Sequence, residues 1–123
     1  MQRLNFESLY IDVEIKEVNG KEIQLLSFNG KFNHQNSYTI SKALQDIFVC
    51  EIYDLLLDLS DLKYINSVGL AIILSMVKVV EQHSGKFVIG GVNKSIQTII
   101  QLVELPDKVI ITQSLADGLK EFS

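Results

Sequence analysis

Ile52 to Asp58 is a nearly continuous apolar run, and Val68 to Gln82 further along is apolar almost all round. A strand with no polar alternation is one covered on both faces. A helix with no polar face is one buried against other elements. Together they require helices packed on a sheet, which is the α/β class.

The rest of the chain fits that plan. Leu9, Ile11, Val13 and Ile15 alternate with Tyr10, Asp12, Glu14 and Lys16, which predicts a strand with one dry face. Asn19-Gly20 is a tight-turn signal, and Ile23 to Phe28 follows as the second arm of a hairpin. Gly30 to His34 reads as a loop. Ile40, Ala43, Leu44, Ile47 and Phe48 keep helical spacing, so an amphipathic helix is expected over Ser37 to Val49. Asp58 and Asp61 read as turn residues closing a strand. Ser84-Gly85 ends the apolar helix. Lys86 to Ile89 is a short strand, and Gly90-Gly91 reads as a loop break. Asn93 caps a third helix carrying Ile96, Ile99, Ile100 and Val103, which Pro106 stops. Val109 to Ile111 is the last strand. Ser114 to Asp117 looks like a capping box for a final helix through Leu119 and Phe122. The expected fold is one α/β domain over residues 1–123, with a mixed, mostly parallel sheet of about five strands, an N-terminal hairpin and about four helices.

Composition narrows the function. The 123 residues are 47% apolar and 21% charged, with net charge −4. Lys and Arg are scattered, which argues against nucleic acid and against an anionic membrane surface. Met1 to Glu7 lack a charged start followed by an apolar run, so no signal peptide is expected, and no apolar segment reaches the ~18 residues of a membrane span. A cytoplasmic protein is the expectation. Cys50 is the one cysteine and lies beside Phe48 and Val49, so a buried structural thiol is expected. His34 and His83 belong to no Cys/His cluster, so no metal is expected; His83 suits a helix C-terminus. No phosphate-binding glycine motif is present, and no cofactor is expected. Asp58 near a strand end invites comparison with phosphate-accepting receivers. The acidic pair that would hold magnesium after the first strand is missing, and Thr112-Gln113 follows the last strand where a lysine is needed.

Ser67 stands where a strand has ended and a helix begins. Either Asn66 or Ser67 is simply the helix N-cap, or the Ser67 hydroxyl can carry a phosphate held by free backbone N–H groups.

The chain resembles the STAS domain family of bacterial anti-anti-sigma factors over nearly its whole length. Leu26 to Asn33 is similar to the family's L-x-G-x-[LF]-D approach to the first helix. Leu56 to Leu70 is similar to its D-L-S-x-[VL]-x-[FY]-[IM]-D-S-[SA]-G-L core. Gly85 to Val92 and Leu115 to Leu119 also fit. The resemblance implies a non-enzymatic antagonist of an anti-sigma factor. Its serine, here Ser67, is phosphorylated by that kinase-like partner and reset by a phosphatase. The unphosphorylated form binds the anti-sigma factor and releases the sigma factor. The alternative is a non-switched STAS scaffold or sensory module binding a protein or a nucleotide.

The resemblance also implies one docking face, from Gly30 to Asn36 and Asn66 to Leu70: Gly30, Phe32, Asn33, His34, Asn66, Ser67, Val68, Gly69 and Leu70. Asn33 and Asn66 replace the family's Asp, and Val68 replaces a small residue. Asn keeps the hydrogen-bonding shape and removes a charge. The face is therefore expected to be nearly neutral, with binding that depends weakly on salt. Gly69 is expected to let a partner or a neighbouring backbone approach.

Overall fold

Asn19 and Gly20 both take positive φ, 55° and 82°, as a two-residue hairpin turn of type I′ requires. They join β2 (Leu9–Val18) to β3 (Lys21–Phe32), whose residues pair antiparallel from Val18–Lys21 to Leu9–Gly30. The structure, a computed structural model, describes residues 2–33 and 37–123. Its other elements are β1 (Gln2–Asn5), α1 (Ser37–Asp46), a 3-10 turn (Ile47–Cys50), β4 (Leu55–Ile65), α2 (Ser67–Gln82), β5 (Phe87–Val92), α3 (Lys94–Gln101), β6 (Ile110–Thr112) and α4 (Leu115–Lys120).

The six strands lie in sequence order, β1-β2-β3-β4-β5-β6. β1 and β2 pair antiparallel, while β3 to β6 are parallel. One face of the sheet carries Ile11, Leu26, Phe28, Leu55, Leu57 and Leu59 beneath α1, α2 and α3. On the other, Leu115, Leu119 and Phe122 pack over Ile23, Leu25, Leu56 and Val88. β4 is covered on both sides, which is why its first half shows no polar alternation.

Four local expectations need correction. A sixth strand exists: Gln2–Asn5 pairs with β2, and Arg3 forms a bidentate bridge to Asp12 at 2.7 and 3.1 Å. That hydrogen bond holds the Arg3 guanidinium above its usual pKa. Four mostly exposed residues on a sheet edge leave little pattern to read.

Second, Asp58 and Asp61 are strand residues, because β4 runs on to Ile65. An irregularity in its pairing with β3 falls between them, and the Asp58 carboxylate accepts from the Ser60 N–H at 3.1 Å and hydroxyl at 2.6 Å. Lys31 and Phe32 likewise finish β3 instead of opening a loop. Third, Gly90 and Gly91 lie inside β5. A Cβ on Gly90 would come 3.0 Å from a Leu56 methyl and 3.4 Å from Gly118 Cα, so glycine there admits α4.

Fourth, Cys50 is exposed. The 3-10 turn directs Phe48 into the core and leaves Val49 and Cys50 outside.

Candidate functional site at the start of the second helix

Asn66 is the N-cap of α2: its φ and ψ are extended, −102° and −177°, and its side-chain oxygen accepts from the Gly69 N–H at 2.9 Å. Its own N–H donates to the Phe32 carbonyl at 3.1 Å, and its carbonyl accepts from Leu70 at 3.0 Å. The junction between β4 and α2 is therefore pinned to the end of β3. Ser67 follows as the first helical residue and is exposed. Its hydroxyl makes no hydrogen bond to any described residue, because Asn66 does the capping. The cap is thus Asn66, and the Ser67 side chain is left at the surface.

Gly69 is buried against its own chain. A Cβ there would lie 2.9 Å from Ile65 Cγ1 and 3.0 Å from Phe32 Cδ1. The close neighbours within the chain are thus two side chains rather than a backbone. Phe32 is fully buried and stacks on Phe28 with ring centroids 5.9 Å apart. Leu70 is buried as well. Phe32, Gly69 and Leu70, all expected at the docking face, are thus buried in the free chain beneath the start of α2. Gly30 is half-buried at φ +108°, and a Cβ there would collide with the Ser8 carbonyl, so its part is to let the β1–β2 connection lie against β3.

The accessible part of the expected face is Ser67 and Val68, with Asn33 and Asn66 half-exposed. Asn33 Nδ2 lies 3.5 Å from Ser8 Oγ. His34 lies outside the described residues. Sequence reasoning missed Tyr64, 46% exposed, and Tyr38, 79% exposed, which stand at the end of β4 and the start of α1. Lys31 and Lys63 are exposed at the same edge, where Lys31 pairs with Tyr64 across the sheet.

The STAS domain model matches residues 10–118. The chain belongs to the STAS domain family. Among related sequences, a Thermotoga neapolitana protein provisionally named an anti-sigma factor antagonist is 26% identical over 102 residues, covering 82% of this chain and 90% of that protein. The crystal structure of a similarly named Thermotoga maritima protein superposes with a TM-score of 0.75 at 24% identity, covering 89% of this STAS domain and 92% of that chain. The phosphorylated form of the Bacillus cell fate determinant SpoIIAA superposes with a TM-score of 0.62 at 12% identity, covering 91% and 100% of the two chains. These superpositions establish the fold. No helix among the described residues is long and apolar enough to cross a membrane.

Proposed function

We propose that this STAS domain is an anti-sigma factor antagonist. Its unphosphorylated form binds an anti-sigma factor with kinase activity and so frees a sigma factor. Phosphorylation of Ser67 ends the complex, and a phosphatase restores it. The chain has no reaction of its own in this scheme.

The observation that carries the reading is the division of labour at the head of α2. Asn66 satisfies the helix start, so the exposed Ser67 hydroxyl can be modified without costing the fold a cap. A phosphate at a first helical position faces unpaired N–H groups and the positive end of the helix dipole. It adds about 1.5 to 2 negative charges at neutral pH. A coupling of ~1–3 kcal/mol between phosphate and partner changes affinity roughly 5- to 150-fold.

The test is incubation with the cognate anti-sigma factor and ATP, followed by phosphopeptide mapping and a binding titration. The expected result is phosphate on Ser67, none on Ser67→Ala, and weakened binding by the phosphorylated form. Phosphate on Ser60 or Ser37 with Ser67 clean would falsify the assignment. A tight complex in which Ser67 stays unmodified would establish the non-switched scaffold instead.

A further inference from the structure

No Asp or Glu occurs between Ile23 and Gln45, between Leu62 and Val80, or between Gln82 and Val103. Those stretches hold α3, nearly all of α1 and α2, and the C-terminal ends of β3 and β4. All 15 carboxylates come from elsewhere in the chain. The same stretches supply Lys31, Lys42, Lys63, Lys78 and Lys94, every one exposed. Lys86 also falls in them but sits at the opposite end of the sheet, donating to the Glu121 carbonyl.

The carboxylates that flank these stretches in sequence are Glu22, Asp46, Asp61, Glu81 and Glu104, of which Asp46 and Glu81 belong to the last turns of α1 and α2. Among the described residues the ion pairs are Arg3–Asp12 and Lys120–Asp117, and none involves those five lysines. Soluble proteins ordinarily intersperse both signs. Here a chain of net charge −4 presents helices whose first turns, at the edge that carries Ser67, hold no carboxylate; Asp46 and Glu81 lie at the far ends of α1 and α2. Exposed Tyr38, Tyr64 and Val68 stand at the edge where Ser67 lies.

We propose that the α1–α2–α3 layer docks an acidic surface of a protein partner, centred on the edge that carries Ser67; this rests on the antagonist reading above. Exposed tyrosines and a valine between lysines fit a protein surface, with apolar contact inside a charged rim. Complementary charge sets the approach and the register. The inference also gives the switch its sign. A phosphate on Ser67 cancels part of the lysine field and faces the partner's carboxylates with like charge. The nearly neutral face expected from sequence counts only residues 30–36 and 66–70. The fold adds lysines from outside both segments.

The test has two arms. In the first, association of the cognate anti-sigma factor is timed at low and high salt. The on-rate is expected to fall about tenfold or more as screening increases. Lys31→Glu with Lys63→Glu should slow association by a similar factor at low salt. Lys21→Glu with Lys108→Glu makes the same change in net charge at the edge of the sheet opposite Ser67, and should leave the on-rate within about twofold. Thermal unfolding checks that each variant is folded.

In the second arm, poly-L-glutamate is titrated into the isotope-labelled chain. Amide shifts should map to α1, α2 and α3 and disappear at high salt. A salt-independent on-rate, or equal slowing by the control pair, overturns the inference while leaving the antagonist reading intact. Absence of any complex with the anti-sigma factor overturns the antagonist reading, and with it the acidic-partner proposal. The poly-L-glutamate map still reports whether the layer attracts acidic chains; shifts outside it overturn the charge assignment itself. Retention of a short DNA duplex at physiological salt would replace the protein partner with nucleic acid and overturn the proposal.

Discussion

Gln45 Nε2 lies 3.4 Å from Ser75 Oγ, and this contact joins the last turn of α1 to the middle of α2. Each helix follows the C-terminal end of a parallel strand, so both start at the same edge of the sheet. Ser37 and Ser67 each lie eight positions before that contact. Tyr38 and Val68 follow them as second residues and are both exposed. Two segments distant in sequence thereby contribute to one edge, and the proposed kinase would meet two serines that begin neighbouring helices.

The capping role of Asn66 gives a measurable stability. Asn66→Ala should cost about 1 kcal/mol in urea unfolding, the usual loss for an N-cap. Asn66→Asp keeps the acceptor oxygen for Gly69 and adds a carboxylate at the helix N-terminus, a favourable placement of ~0.3–1 kcal/mol. It should therefore match or exceed the native stability at neutral pH. Equal stability of the alanine variant would remove Asn66 from the cap.

Gly69 and Phe32 should behave as packing residues. Gly69→Val forces atoms against Ile65 and Phe32, and overpacking of this kind costs ~1–3 kcal/mol. Phe32→Ala leaves a void in a fully buried position and should cost ~3–5 kcal/mol. The sequence alone suggests that Gly69→Val harms binding more than folding; the buried position reverses that order. Native stability with binding lost would restore the original expectation.

Phosphorylation at Ser67 should leave the fold as stable as before or slightly more so. A phosphate near the first N–H groups of α2 interacts favourably with the dipole, by ~0.3–1 kcal/mol at an exposed site. Calorimetry on the fully phosphorylated chain checks this. A clear fall in Tm would mean that the modification acts by loosening α2 rather than by opposing the partner.

Asn33→Asp with Asn66→Asp should lower the salt sensitivity of partner binding, because two carboxylates partly cancel Lys31 and Lys63 beside them. A neutral face predicts the opposite sign, a rise. The double variant should also change the rate of Ser67 phosphorylation. Unchanged salt slope and unchanged rate would put both asparagines outside the working face.

The sequence by itself determined the kinds of element and the family. Apolar runs and turn residues are local signals, so the Asn19-Gly20 hairpin, the caps at Asn93 and Ser114, and a helix beginning at Ser67 were all legible. Motif spacing indicated the family for the same reason. What needed the tertiary structure is what depends on neighbours from other segments. The second half of β4 looked like a loop because it is polar, and pairing with β3 at Asp58 and Asp61 keeps it in the sheet. Phe32 and Gly69 read as surface because only the end of β3 lying under α2 buries them. Lysines scattered in the sequence come to lie on one side of the sheet because parallel crossovers put α1, α2 and α3 there, and charge adds through space rather than along the chain.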